Sequence, residues 1–294
     1  MSAGAALPGV GWMLLSMSCI AIVDGIAKSL TREMNGVQVA WGYFLATLLA
    51  LNLYAIIARI PYRTMIRSAR PRLQVARAAC FVLSLSALFF SLRYLPLAEA
   101  TIISFTAPLF IVALAGPMLA ETVTRRRWCA VLAGLGGAAL VLRPGSELFQ
   151  WPALVALVGA AFFALFNLVT RKIGAADRWQ TTLMHSFVLG TALLSAAMPA
   201  VWVTPDWRAC VTLALAGGLG LVAHLSLVRA LTAAPASVLA PLSYVRLIWA
   251  SGIGAVVFGD TPDAMTLLGG AVIIGSGLYV VRDPGPPPAS GPAR

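Results

Sequence analysis

One arginine stands in the middle of an apolar run typical of a membrane span. Arg246 lies near the centre of residues 235–258. A charged side chain at that depth costs about 3 kcal/mol on insertion scales, so it must face a watery cavity or a partner. A guanidinium can hold a carboxylate through two parallel hydrogen bonds. Two interpretations stay open: Arg246 binds the carboxylate of a ligand, or it is tied structurally to Asp24 or to helix-end carbonyl groups.

An acidic residue occupies the outer third of the first apolar run. Asp24 could bind the ammonium group of a ligand or carry a proton during coupled movement. Its spacing to Lys28 favours a different interpretation, a helical pair worth about 0.2–0.5 kcal/mol. Asn167 takes the corresponding place in the second half of the chain and is predicted to hydrogen-bond between helices. We therefore expect a structural role for Asp24, with binding as the alternative.

Aromatic residues are concentrated on a few of the apolar runs. Phe162 and Phe166 share one helical face, and Phe163 shares another with Asn167. A pocket lined with rings would suit a flat, apolar ligand. Contact with lipid or with the protein core is the ordinary alternative for any single ring. The aromatic candidates for such a pocket are Phe105, Phe163, Phe166 and Tyr244.

Two prolines interrupt helices at mid-span. Pro108 and Pro241 each lack a backbone N–H, so each frees carbonyl groups inside the predicted membrane region. These positions could be bending points or polar sites on a transport path, or ordinary membrane-helix prolines. Hydroxyls of Ser104 and Thr101 lie close by in the sequence. His185 and His224 are isolated in apolar sequence, where packing with an interhelical hydrogen bond is favoured over a proton relay.

The composition indicates a helical membrane protein. Of the 294 residues, 60% are hydrophobic and only 11% are charged, whereas a soluble domain carries about 25% charge. The formal net charge of +11 comes from basic residues in short loops, which excludes a nucleic-acid-binding face. Four isolated cysteines and two lone histidines predict neither a metal site nor a cofactor site. No ATP-binding motif and no nucleophile–base pair is visible, so we expect no enzyme.

Apolar runs of roughly 20 residues, about the length that spans a bilayer core about 30 Å thick, recur along the chain, and ten spans are predicted. Of the 21 basic residues, fifteen, with Arg77 among them, fall in the predicted loops on one side and five on the other. Basic loops face the cytoplasm, so both termini are predicted inside a multi-pass protein of the bacterial inner membrane. The tail 283–294 is Pro-rich and predicted to be disordered. The predicted spans are 9–29, 37–58, 73–92, 97–119, 127–142, 151–170, 180–201, 209–229, 235–258 and 264–281.

The chain repeats one pattern twice. Residues 97–127 and 233–263 are both apolar runs with a proline and aromatic residues, each ending in a small residue and an acid, and each is followed by a Gly-rich segment. The predicted halves are 1–145 and 146–282, with five spans each. An odd number of spans reverses direction, so the halves are predicted to be inverted copies related by an axis in the membrane plane. Glu121 and Asp260, the two acids, are predicted to make helix-end or gate contacts at opposite faces.

These features together resemble the drug/metabolite transporter superfamily, in its EamA-type exporter branch. The resemblance rests on the order of its motifs along nearly the whole chain: Pro108, Ala120-Glu121 and Thr124, then Tyr244, Gly259-Asp260, Gly269 and Gly275. The first acid follows Ala rather than Gly, and Leu247 stands where a proline would match Pro108. The resemblance implies ten helices around a cavity formed by spans 1, 3, 4, 6, 8 and 9. Within that branch, the sequence as a whole most resembles the aromatic amino-acid exporters of the YddG type.

The sequence therefore predicts a secondary transporter or facilitator that exports small amphiphilic metabolites, amino acids first, by alternating access. Its partners would be a small-molecule substrate and the lipid bilayer, with a monomer or weak homodimer as the assembly. Two other classes stay open, a membrane-embedded lipid-modifying enzyme and a non-transporting scaffold. The predicted substrate-binding residues are Arg246, Tyr244, Phe105, Ser104, Phe163, Phe166, Asn167, Asp24, Pro108 and Pro241.

Overall fold

The computed structural model describes residues 3–119, 123–143, 151–234 and 236–282, and no strand occurs within these ranges. A helical segment lies at each of the ten predicted spans. Seven of these segments are long and apolar enough to cross a membrane, so the chain is a multi-pass membrane protein. The other three lie at the spans 127–142, 180–201 and 264–281. The predicted tail and Glu121 fall outside the described residues.

The main helices follow one another with short connections, as lipid requires of backbone that has no other hydrogen-bond partner. Their bounds are α1 (Ala3–Leu30), α2 (Gly36–Ile57), α3 (Pro71–Leu92), α4 (Leu97–Ser104), α5 (Ala107–Leu119), α6 (Arg125–Leu142), α7 (Trp151–Ile173), α8 (Trp179–Ser195), α9 (Trp207–Ala233), α10 (Val245–Ile253) and α11 (Ala264–Arg282). Short helical turns, Tyr62–Ile66 and Met198–Val201, follow α2 and α8.

Two of the spans are broken helices. Span four divides at Phe105 and Thr106, and Pro108 stands near the start of its second part, α5. Span nine begins with the single turn Ala236–Leu239, continues as a 3-10 segment Ala240–Tyr244 that contains Pro241, and ends as a π-helix, Gly254–Phe258. A proline cannot donate to the helical ladder, so the breaks fall where the sequence places one.

Helix packing joins the first half of the chain to the second. Helix α1 packs along α9, α3 packs along α7, and α6 packs along α11. Helix α2 lies against both α8 and α9, while α8 also contacts α3. The broken segments complete the bundle, because α5 lies on α7 and α10 lies on α1 and α4. The first and second halves of the chain are therefore interleaved rather than side by side.

Close approach of α2 and α9 depends on a glycine. A Cβ atom at Gly217 would lie 2.5 Å from the carbonyl carbon of Ala46 and 2.6 Å from the amide nitrogen of Thr47. Those atoms belong to the backbone of α2 and cannot rotate away. Small residues at such crossings let membrane helices pack closely, where van der Waals contact drives association.

We expect Gly217→Ala to lower the free energy of unfolding by about 1–3 kcal/mol, the usual cost of forcing a methyl group into a filled site. Gly218→Ala is the matched control, because a Cβ there meets nothing within 4 Å. Both changes raise helix propensity equally, so the difference between their melting temperatures in detergent measures the clash alone. Equal melting temperatures would contradict the packing described.

Candidate functional site

A buried ion pair joins α1 to α10. The Nε atom of Arg246 donates to Oδ2 of Asp24 at 2.8 Å, and its Nη2 lies 2.7 Å from the same oxygen. The Asp24 side chain is 4% exposed and that of Arg246 is 16% exposed. Of the two sequence interpretations of Arg246, the structural tie to Asp24 is the contact observed. The Arg246 side chain is the more exposed member of the pair.

The predicted pairing of Asp24 with Lys28 is wrong. Lys28 turns instead to the end of span nine, where its Nζ lies 2.6 Å from Oδ2 of Asp260 and donates to the Leu95 carbonyl at 2.7 Å. The ring of Phe258 also lies 5.2 Å from Nζ. Asp24 is already paired with Arg246, and Lys28 gains a carboxylate, a carbonyl and a ring as its own neighbours. Asp260 thus makes the helix-end contact predicted for it.

A second ion pair lies at the same end of the bundle. Arg143 ends α6 in the left-handed region, at φ 48°, and its guanidinium contacts the carboxylate of Asp263, which also accepts from the Thr266 amide at 2.9 Å. The hydrogen bond from Arg143, followed by that from Thr266, lowers the pKa of Asp263 to about 2. The contact therefore stays charged at every physiological pH.

The first break carries an aromatic pair. The rings of Phe105 and Tyr244 meet edge to face with centroids 5.0 Å apart, which joins span four to span nine. Ser104 donates to the Thr101 carbonyl at 2.7 Å, within its own helix. Because Tyr244 directly precedes α10, whose second residue is Arg246, the ring pair lies close in sequence to the buried ion pair. Pro108 and Pro241 adjoin the two breaks that hold these rings.

A third group of predicted site residues lies on α7. The rings of Phe163 and Phe166 stack with centroids 5.7 Å apart, and Phe163 is 42% exposed. Asn167 donates to the Phe163 carbonyl at 2.7 Å within the same helix, so the predicted bond between helices does not form. The ring contacts of α7 run to α3, where Phe81 stacks on Phe166 at 4.9 Å. These residues thus form a cluster separate from the contacts of Asp24 and Tyr244.

Sequence reasoning missed a buried arginine in this third group. Arg77 was counted among the basic residues of a loop although the predicted span 73–92 contains it, and it lies in α3, only 6% exposed. Its Nε donates to Thr170 Oγ1 at 2.6 Å, its Nη1 donates to the Thr182 carbonyl at 3.2 Å and contacts the Ser186 hydroxyl. A usable signal was its place four residues before Phe81, on the same helical face.

The two histidines do not form bonds between helices. The Nδ1 atom of His185 lies 2.9 Å from the Thr181 carbonyl, one turn earlier in α8. The ring of His224 meets the rings of Phe81 and Phe187 edge to face, with centroids 6.1 and 5.5 Å away. His224 therefore belongs to the aromatic cluster around Arg77, and the predicted packing role is correct while the predicted hydrogen bond is not.

A carboxylate fastens two loops at the predicted cytoplasmic end. Asp177 accepts from the Ser68 hydroxyl at 2.6 Å, from the Ala69 amide at 2.7 Å and from the Gln74 amide at 2.8 Å. Burial alone would raise the pKa of Asp177, but these hydrogen bonds outweigh it and hold the pKa below its usual range. The loop before α3 is thereby tied to the loop before α8, next to the buried Arg77.

Similarity to known proteins covers nearly the whole chain. It is 25% identical over 273 residues, 93% of each chain, to an S-adenosylmethionine uptake transporter of Rickettsia bellii. A riboflavin transporter of Rhizobium johnstonii is 27% identical over 95% of this chain and 92% of its own. The pseudopaline exporter CntI of Pseudomonas aeruginosa is 24% identical over 90% and 93%.

The fold has a counterpart among solved structures. One crystal structure superimposes with a TM-score of 0.61 at 20% identity, over 95% of this chain and 97% of the other. The model of one transporter family, the EamA-like transporter family, matches the sequence twice, over residues 7–143 and 150–282. Such a match accounts for almost every residue outside the two termini. The protein therefore belongs to the EamA-like transporter family.

Proposed function

We propose that this protein is a secondary transporter or facilitator that moves small amphiphilic metabolites across the bacterial inner membrane by alternating access. Amino acids are the proposed substrate class and export is the proposed direction. The observation that carries the proposal is the buried pair of Asp24 and Arg246. A zwitterionic ligand has one positive and one negative group, so it could replace each partner of this pair with a group of the same charge. An amino acid would place its ammonium group on Asp24 and its carboxylate on Arg246.

Neighbouring groups suit the rest of such a molecule. The edge-to-face rings of Phe105 and Tyr244 lie in the two broken spans and would pack against an apolar or aromatic side chain. The names of the relatives add two further candidate substrates to test. S-adenosylmethionine, named for one relative, carries an α-amino-acid group and a heteroaromatic ring, and riboflavin, named for another, is a flat ring system. Since those two relatives are not named as exporters, the direction of transport has to be measured in the flux assay.

Alternating access would follow from the proposed inverted repeat of residues 1–145 and 146–282. The double match of the family model supports a duplication. The helix packing supports a two-fold relation between the halves, because exchanging them maps the contact of α1 with α9 onto that of α7 with α3. The inversion itself follows from the odd number of spans in each half. The same exchange maps the contact of α1 with α10 onto that of α7 with α5, and maps the pair α6 with α11 onto itself. Two such halves can rock between packings that open to opposite sides.

The test is flux through purified protein in liposomes. We expect radiolabelled amino acids, tested beside S-adenosylmethionine and riboflavin, to cross faster than in protein-free liposomes, with saturable kinetics. An imposed pH gradient distinguishes a proton-coupled transporter from a facilitator, and loading substrate on either side gives the direction. If none of these molecules crosses faster than in empty liposomes, the proposal fails.

The lipid-modifying enzyme and the scaffold remain the competing classes. The same liposomes, assayed by mass spectrometry of their lipids, would reveal an enzyme as altered lipid without flux. A scaffold would leave both the lipids and the solutes unchanged. Family membership and the names of the relatives favour transport over either class.

A further inference from the structure

We propose that Arg77 is a second anion site, which receives the carboxylate of an aromatic substrate on the predicted cytoplasmic side of the bundle. The inference rests on the proposed function for its ligand, but on different residues. Asp24 and Arg246 compensate each other, whereas Arg77 is a buried cation that forms no ion pair within the described part of the chain. A charge in that position is expensive unless something compensates it.

The hydrogen bonds of Arg77 leave part of its guanidinium unused. The acceptors of Nε and Nη1 are two hydroxyls, on Thr170 and Ser186, and the Thr182 carbonyl. All three are neutral, and they hold the side chain between α3, α7 and α8 in one orientation. Within the described residues Nη2 donates to no atom. It is also not fully shielded from solvent. A guanidinium held in place through two of its nitrogens, with the third unbonded, can donate from that third nitrogen to an oxyanion.

The surroundings favour an aromatic carboxylate over a simple anion. The guanidinium lies 4.2 Å from the ring centroid of Phe166, and that ring also contacts the rings of Phe81 and Phe163, with centroids 4.9 and 5.7 Å away. Phe163 is half-exposed, so this aromatic cluster reaches the surface of the described protein. A ligand ring can pack against Phe163 with its carboxylate directed toward Nη2 of Arg77.

The depth of Arg77 separates it from the first site. Arg77 is the seventh residue of α3, about 9 Å along the helix from its start. Asp24 lies six residues before the end of α1, also about 9 Å from that end. In the predicted topology both helices run outward, so Arg77 is near the cytoplasmic end and Asp24 near the opposite end. A molecule leaving the cell would meet Arg77 first.

Equilibrium binding to the purified, full-length protein in detergent tests this site without requiring flux. The probes are indole-3-acetate and its neutral analogue indole-3-acetamide. We expect the acetate to bind the unaltered protein more tightly than the amide. We expect Arg77→Gln to weaken acetate binding about ten- to a hundredfold, the loss of a hydrogen bond to a charged group, and to leave amide binding unchanged. Arg77→Lys keeps the charge but loses the guanidinium that the three acceptors hold in place, so its affinity for the acetate should lie between those of the unaltered protein and Arg77→Gln.

Matched variants separate this role from a structural one. Arg72→Gln removes an exposed arginine from the same helix and should change nothing. Phe163→Leu, which does not touch Arg77, should weaken both probes and serves as the test if Arg77→Gln fails to fold.

Three results would overturn the proposal: equal affinity for acetate and amide in the unaltered protein, unchanged acetate binding in Arg77→Gln, or unchanged binding of both probes in Phe163→Leu. Tight acetate binding without any flux would refute the proposed transport and leave the anion site standing. Flux without selective acetate binding would refute the anion site and leave the proposed transport standing.

Discussion

Replacing Arg246 by glutamine is expected to abolish transport and to lower the free energy of unfolding by about 3–5 kcal/mol, because the Asp24 carboxylate would stay buried without its counter-charge. Asp24→Asn should do the same for the opposite reason, leaving a guanidinium without its anion. The measurements are flux in liposomes and melting temperature in detergent, made on the same preparations.

The double variant Asp24→Asn/Arg246→Gln decides what the pair is for. It removes both charges and keeps polar groups of similar size, so neither partner is left with an uncompensated charge. We expect its melting temperature to recover most of the loss seen in either single variant, since the coupling between contacting residues is large. Transport should stay absent, because a zwitterion then finds no charge on either partner. Near-normal flux in the double variant would show that the pair only fastens α1 to α10.

Residue type and spacing located the membrane helices well, because lipid leaves few alternatives. An apolar run of about 20 residues must be a helix there, and a proline within it can interrupt the helix, as Pro241 does. Arg246 was recognised as significant for the same reason, since a charge in the middle of a run is conspicuous. The sequence could not predict which residue pairs with each charge, because the partner depends on which helices are neighbours in the fold.

Lys28 and Arg77 illustrate this limit. The four-residue spacing of Asp24 and Lys28 satisfies a local rule worth tenths of a kcal/mol, but Asp260, 232 positions further along the chain, offers Lys28 a better contact. Arg77 stands six residues after the start of its helix, where basic residues ordinarily reach water. Only the packing of α7 and α8 around it shows that it is buried.

Joining positions 28 and 260 covalently is expected to stop transport completely. The Lys28–Asp260 pair connects α1 to the end of span nine on the predicted outer face, so alternating access would require these ends to separate when that face opens. The protein for this test carries Lys28→Cys and Asp260→Cys in a background where Cys19, Cys80, Cys129 and Cys210 are replaced by alanine. A short bifunctional thiol reagent with a cleavable disulfide then links the two positions, and flux is measured before and after reduction.

We expect flux to fall to the level of empty liposomes after linking and to return when the link is reduced. The matched control carries Lys28→Cys and Arg32→Cys, four residues apart at the end of α1, where the same reagent joins two positions that move together. Its flux should be unaffected by linking. Undiminished flux through protein whose 28–260 link is verified by mass spectrometry would mean that the ends of α1 and span nine never part. Transport would then need a motion other than the opening of this face.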